Sequence, residues 1–302
     1  MSVRVGVTGS QGFIGRNVTA ALRRRGDEVV PIQRPFVRDS LVRTFHGLNA
    51  VIHLAGVVSA VRDEEFVAGN VESTRIVAAA AEAAGVRLVH ISSLAAAGPA
   101  SAAAPRSEDD GPAPINTYGR TKLEGERVVR AQPRLRWTIL RPGVVYGHGD
   151  RALRPLFRMA TSGWLPLVGS PTAAYTFIHI DDAVRAILAA VDGDQHGDTI
   201  FLGHAPPVTT RELLDAVSTA IGVRARIVPI PKVVTYAAAV AGDLGGTVTG
   251  RPALITSRRF AELYAEGFVC RVDRMRERLG VEARVGVREG LAKAAPWYVG
   301  DE

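Results

Sequence analysis

Tyr118 and Lys122 stand four residues apart in Tyr-Gly-Arg-Thr-Lys. Only three of the 37 basic residues are lysines, and with six tyrosines roughly 0.06 Tyr-x-x-x-Lys pairs are expected by chance. On a helix, positions i and i+4 share a face, so the spacing can hold an ammonium beside a phenol. A free tyrosine, with a pKa of about 10, is a poor base at neutral pH. A fixed cation within roughly 4–6 Å favours the phenolate, which fits proton transfer at a reacting oxygen. A solvated lysine near a half-buried tyrosine would show the same spacing, so the reading depends on the elements around the pair.

A second chemical pattern opens the chain. Val3–Val7 alternates like a strand and runs into Thr8-Gly9-Ser10-Gln11-Gly12-Phe13-Ile14-Gly15, after which Asn17–Arg25 reads as an amphipathic helix closed by Gly26. Glycines at such a junction let backbone approach a pyrophosphate held at the helix N-terminus. The next strand, Glu28–Ile32, ends in Gln33-Arg34. Dinucleotide folds use an acid there for the ribose 2′-hydroxyl of NAD, or an arginine for the 2′-phosphate of NADP. With no acid at 33 or 34, Arg34 favours NADP, with NAD as the alternative.

The elements that must position these groups follow in alternation. Strands are predicted over Ala50–Leu54, Arg87–Ile91 and Trp137–Leu140, with helices over Glu64–Ala84 and Thr117–Arg130. That order predicts an α/β protein, a Rossmann-type doubly wound parallel sheet with a smaller C-terminal α/β substrate-binding domain. Residues 1–147 and about 175–203 are expected to bind the dinucleotide, and about 148–174 and 204–302 the substrate. In the second region Thr209–Ile221 reads as a capped helix. Val233–Leu244 reads as another, its apolar face toward the substrate or a partner. Phe157, Met159, Trp164, Tyr175 and Phe260 are candidate pocket walls. Ala95–Pro114, rich in Ala, Pro and Gly, is expected to loop over the site, with Glu108-Asp109-Asp110 as a solvated tip and helix-start signal.

Composition narrows the classes. Hydrophobic content of 47% with 22% charge is that of a soluble globular protein. The net charge of +7 comes from dispersed arginines, and aromatics are only 6%, which argues against nucleic-acid binding. A single cysteine, Cys270, excludes an internal disulfide and fits a reducing compartment. The strand pattern from Val3 leaves no room for a signal peptide. No apolar stretch approaches the ~20 residues that span a bilayer. The expectation is a cytoplasmic protein whose partner is a small molecule, not a membrane.

Taken together, the motifs resemble the extended short-chain dehydrogenase/reductase family, also called the NAD-dependent epimerase/dehydratase family. The resemblance rests on the glycine turn, His53-Leu54-Ala55-Gly56, Asn70-Val71-x-x-Thr74, Ser92-Ser93, Tyr118-x-x-x-Lys122, Arg141-Pro142-Gly143-Val144-Val145-Tyr146-Gly147, Phe177-Ile178-His179-Ile180-Asp181-Asp182 and Trp297-Tyr298. It implies Tyr118 as general acid/base, Lys122 as the residue that lowers its pKa and holds the nicotinamide ribose, and Ser93 as the donor that orients the substrate oxygen. It implies a cofactor site of Gly9, Gln11, Gly12, Phe13, Ile14, Gly15, Arg34, Leu54, Ala55, Gly56, Asn70, Tyr118, Lys122, Pro142, Val144 and Val145, no metal, and a homodimer paired through Glu64–Ala84 and Thr117–Arg130. His53, His90, His148 and His179 gain no role and are expected to be structural.

Departures from the family pattern bear on the reaction. The link between Arg34 and Ala50 is short, with Asp39 the available acid for the adenine. Ala97 stands where a tyrosine is common, which would open space near the substrate. Ala174-Tyr175-Thr176 lacks the arginine that sugar-nucleotide enzymes use, and Leu94-Ala95-Ala96 lacks the acids of dehydratases. These absences favour a reductase or dehydrogenase for a less polar carbonyl or alcohol. A sugar-nucleotide epimerase or dehydratase with retained NAD is the alternative, and a cofactor-sensing protein without catalysis a third reading.

Overall fold

The computed structural model describes residues 2–253 and 255–300. Its centre is a six-stranded parallel sheet in the order Asp198–Leu202, Trp137–Pro142, Arg87–Ile91, Ala50–His53, Arg4–Thr8, Glu28–Ile32. The chain moves outward from Arg4–Thr8 to Glu28–Ile32, then returns across it to Ala50–His53. This reversal opens a crevice at the C-terminal ends of the two strands, where Thr8 pairs with His53. Every residue of Ala50–His53 and of Arg87–Ile91 is buried, as expected of a parallel sheet covered on both faces. Phe13–Arg24 and Ile180–Asp192 pack on one face, and Arg38–Phe45 and Ser73–Ala83 on the other.

Two elements depart from expectation. The short 35–49 link contains a two-turn helix, Arg38–Phe45, whose Leu41 and Phe45 dock on Ser73–Ala83. Its only two buried positions lie four apart, too brief a pattern to read. Glu64–Ala84 is not one helix but Asp63–Phe66, a widened π-helical turn at Val67–Glu72, and Ser73–Ala83. The wide turn presents Gly69, where an added Cβ would lie 2.3 Å from the Val57 side chain, and Asn70 beside it. Such turns recur at functional sites. Of the alanines of Ser73–Ala83, Ala78, Ala80 and Ala81 are buried within this chain, Ala79 is half-buried and Ala83 is exposed.

After Tyr146 the chain builds a second layer. Arg154–Thr161, Thr210–Ala220 and Val287–Val299 pack around Phe157, Leu214 and Tyr298. Ala174–Tyr175 is flanked by Val208–Thr209 and Gly267–Phe268, and Arg226–Pro229 pairs with Trp164–Leu167. Val144–Tyr146 pairs with Phe177–His179, tying this layer to the end of the main sheet. The helix expected at Val233–Leu244 runs from Lys232 to Thr249.

Candidate active site

The glycine turn is shaped by close contact. Gly9 adopts φ +66°, and a Cβ on it would lie 2.8 Å from the Ala55 nitrogen; one on Gly15 would lie 2.1 Å from the Gly9 carbonyl oxygen. Only glycine meets both demands. The first intrahelical bond runs from Arg16 N to Gly12 O at 2.9 Å, and no side chain caps the helix. The N–H groups of the first turn thus have no intrahelical partner, which is what lets a helix start meet an anion. Thr8 Oγ1 accepts the Leu54 and Ala55 N–H groups, each at 3.1 Å, which fixes the opposite lip. A cleft of about 350 Å³ results, lined by Gly9, Gln11, Gly12, Arg34, Ala55 and Gly56 among others, with no carboxylate in its wall. Phe13 and Ile14 begin the helix partly buried, and the Leu54 and Val145 side chains turn into the core. Arg34 is exposed on the rim; its guanidinium donates to the Gly69 carbonyl at 3.3 Å and lies 5.9 Å from the Phe36 ring. Asp39 does not reach this cleft. It is exposed on the Arg38–Phe45 helix and paired with Arg38 at 3.3 Å.

Asn116 caps the helix that carries the Tyr–Lys pair, accepting the Gly119 N–H at 2.7 Å. A Cβ on Gly119 would lie 2.4 Å from the Ala95 carbonyl oxygen, so the helix start rests on the Ser93 loop. Ser93 thereby hydrogen-bonds Tyr118, and its Oγ also accepts the Ala95 N–H at 3.2 Å. Burial pushes the Tyr118 phenol above its ordinary value; the Ser93 bond opposes this, Glu262 adds to it, and Arg259 opposes it. The spacing alone suggested the reverse shift. Lys122 instead donates to the Ile91 carbonyl at 2.6 Å, and burial lowers its ammonium to about 8, against the pull of Glu126. Asn70 is 2% exposed and also spent on structure. It exchanges hydrogen bonds with the Val57 backbone at 2.7 and 2.9 Å and donates to Thr121 Oγ1 at 3.1 Å, holding the 56–58 lip against the Tyr–Lys helix.

Beneath this pair lies a network that the sequence reading missed. Glu126, fully buried, accepts Ser92 Oγ at 2.6 Å, Arg141 through two bonds at 2.8 and 2.7 Å, and Arg130 at 3.0 Å. Burial alone would raise its carboxyl, but the bond and charge of Arg141, with Ser92 and Arg130, hold it below the usual range. The signal was present as Tyr118, Lys122 and Glu126 at successive i, i+4 positions, one helix face. His53 is neutral, lowered to about 3 by burial and then by Lys122 and Arg34, and bridges Thr8 and Thr74 at 2.8 and 3.0 Å. His179 accepts the Asp181 N–H at 3.3 Å as a helix cap.

Ser93 and Tyr118 open onto a cavity of about 460 Å³. Its walls include Leu153, Tyr175, Phe177, Leu213, Leu263 and Phe268, with Pro142 and Val144 toward the sheet. Arg259 and Glu262, paired at 3.4 Å, supply its charge. Of the five aromatic and Met candidates, only Tyr175 lines it; Phe157 is core, Trp164 is 43% exposed, and Phe260 packs on Tyr236 and Tyr264. Ala97 opens no space there, being buried with Leu94, Phe201, Phe268 and Cys270. The 95–114 segment is strapped down by bridges from Ala100 to Phe268 and Arg106 to Cys270. Glu108 is not a solvated tip: its side chain is 4% exposed and accepts the Phe201 N–H at 3.0 Å, while Asp109 pairs with Arg274.

Comparison with known proteins agrees with this geometry. Residues 5–203 match the NAD dependent epimerase/dehydratase family, and the chain belongs to it. It is 27% identical to the ceramide reductase of Caulobacter vibrioides, over 97% of this chain and 94% of that enzyme. It is also 27% identical to a 4-hydroxy-2-methyl-3-oxo-4-farnesyl-3,4-dihydroquinoline-1-oxide ketoreductase of Stigmatella aurantiaca, over 96% and 95%. Among solved structures it resembles MoeE5 in complex with UDP-glucose and NAD, at 26% identity and TM-score 0.78, covering 97% of this chain and 98% of that one. The chain is a nicotinamide-dependent enzyme of the extended short-chain dehydrogenase/reductase type.

Proposed function

We propose that this enzyme is a ketone reductase or alcohol dehydrogenase for an apolar or amphipathic substrate, with Tyr118 as general acid/base. The apolar cavity that opens directly on Ser93 and Tyr118 carries this reading. Support comes from the ceramide reductase and ketoreductase, whose names describe reduction of largely apolar molecules. A bound nicotinamide supplies the hydride exchanged with the carbonyl carbon. The glycine turn fits such a cofactor: its backbone is clear of Cβ atoms, its helix end is uncapped, and its cleft wall holds no carboxylate. Arg34, on the rim without an acidic neighbour in that wall, favours NADP, with NAD also accommodated.

The residues divide the work. In reduction the Tyr118 hydroxyl gives its proton to the substrate oxygen as negative charge develops, while the Ser93 hydroxyl donates to the same oxygen. A phenol raised by burial keeps that proton until the oxygen demands it. Lys122, close to Gly56 and backed by Glu126, faces the ribose side of the cleft and carries the positive charge there. Oxidation runs the same transfers backward.

Arg259 in the cavity favours a second reading, a sugar-nucleotide epimerase with retained NAD, because a guanidinium can meet a diphosphate. A cytoplasmic setting and a homodimer paired through the 64–84 segment and Thr117–Arg130 complete the proposal. Following loss of NADPH or NADH with a long-chain ketone and with a UDP-sugar tests it. Net cofactor oxidation with the ketone supports the reductase; conversion of the sugar without net oxidation rejects it.

A further inference from the structure

The Lys232–Thr249 helix carries its large apolar side chains outward. Thr235, Ala239 and Gly246 are its buried residues, and a Cβ on Gly242 would lie 2.3 Å from the Ile255 carbonyl oxygen. Small residues thus pack on the protein. On the opposite face Val233 is 79% exposed, Leu244 66% and Val248 87%, with Tyr236 and Val240 beside them. At 3.6 residues per turn these five fall within one stripe about 120° wide. Scattered exposed apolar residues are ordinary, but a contiguous apolar face marks an interaction surface. Between 233 and 249 the only charged residue is Asp243, which accepts the Ser257 N–H at 3.1 Å. Exposed cations flank the helix, Lys232 at its start and Arg251 just past its end.

We propose that this face lies in the surface of an anionic lipid bilayer and that the cavity beside it takes its substrate from there. An exposed apolar helix face can sit in the membrane interface, and cations beside it add attraction to anionic headgroups. The net charge of +7 supplies attraction to anionic headgroups. Nothing needs to span: no helix among the described residues is long and apolar enough to cross a membrane. A second copy of the chain fits less well. A helix face ~27 Å long and ~10 Å across offers a few hundred Å², below the roughly 800 Å² per partner of a standard interface.

The stripe is continuous with the cavity wall. Tyr236 packs edge-on against Phe260 at 5.4 Å, and the Ser257–Leu263 helix that bears Phe260 also places Arg259, Glu262 and Leu263 in the cavity. On the other side Gly246 approaches Val61, and Val58 of the same loop, 71% exposed, lines the cavity mouth. The docking surface stands whichever reaction the site performs, so its test needs no substrate.

The test is co-sedimentation of the full chain with phosphatidylglycerol vesicles and with phosphatidylcholine vesicles, for the wild type, Leu244→Asp and Val248→Asp. The wild type should partition onto the anionic vesicles, and each substitution should reduce that at least tenfold with an unchanged circular dichroism spectrum. Because both side chains are exposed, loss of fold in one variant leaves the other to decide. Wild-type protein that stays in the supernatant overturns the proposal. So does Leu244→Asp that sediments equally, which would make the binding purely electrostatic. A wild-type dimer converted to monomer by Leu244→Asp would assign the face to a second copy and overturn it too.

Discussion

The two sides of the cavity at Ser93 and Tyr118 are held in different ways. On the sheet side, Ser92, Arg130 and Arg141 converge on the buried Glu126 in a charge-assisted network that clamps the Tyr118–Lys122 helix to the strand ends. On the other side, Leu153, Tyr175, Phe177, Leu213 and Phe268 come from separated segments and meet the cavity through apolar surface. Directional bonds fix positions to tenths of an ångström, which proton transfer demands. Apolar walls set volume and leave shape adaptable. The Tyr118 side is therefore the rigid one and the apolar side the plastic one, in a family that includes reductases, epimerases and dehydratases.

Substitutions should separate the two sides, beginning with the largest effect. Tyr118→Phe should lower kcat/KM by about 10²–10⁴-fold and leave cofactor affinity nearly unchanged, as read by steady-state kinetics and cofactor titration. Glu126→Ala strands Arg141 as a buried unpaired charge and should destabilise the fold by about 3–5 kcal/mol, seen in urea unfolding.

Two pH responses follow, both on the rigid side. His53 has a folded pKa of about 3 against an ordinary 6.5. Its neutral form is the folded one, so the stability it contributes is complete above pH 6.5 and falls as pH drops toward 3. At pH 5 the loss is about 2 kcal/mol from this residue alone, measurable as a shift in the urea midpoint. Lys122 sits at about 8, so its positive charge disappears as pH rises through that value. The kcat/KM of the free enzyme should then fall up to tenfold per pH unit. The smallest effect belongs to the plastic side. Leu213→Ala should raise KM about fivefold, roughly 1 kcal/mol of apolar contact, with kcat unchanged; an equal fall in kcat would mean that this wall also positions the reacting atoms.

Local patterns were legible in the sequence because their physics is local. The alternating strands, the glycine turn and the Tyr–Lys spacing each depend on residues within a few positions of one another, and the parallel sheet they predict is present. What escaped depends on long-range contact. Glu126 shares a helix face with Tyr118 and Lys122, but its bond partner Arg141, on the next strand, is set by the fold. Arg38–Phe45 is a helix because Ser73–Ala83 offers it a dock. Glu108 looked solvated beside two aspartates, yet folds inward to the Phe201 N–H. The Tyr118 shift was misread for the same reason: burial by distant segments raises the phenol, and the Lys122 ammonium that spacing aimed at it donates to Ile91. The apolar cavity draws on residues from Val58 to Phe268, and no window of sequence contains it.

The most direct test of the central claim is deuterium transfer. The enzyme would be given NADPH or NADH labelled at the transferable position of the nicotinamide, with an apolar ketone, and the product analysed by mass spectrometry. One deuterium should appear on the new carbinol carbon for each cofactor oxidised, and Tyr118→Phe should slow the transfer by about 10²–10⁴-fold. Unlabelled alcohol, or a UDP-sugar epimerised with no net oxidation of cofactor, would contradict the central claim.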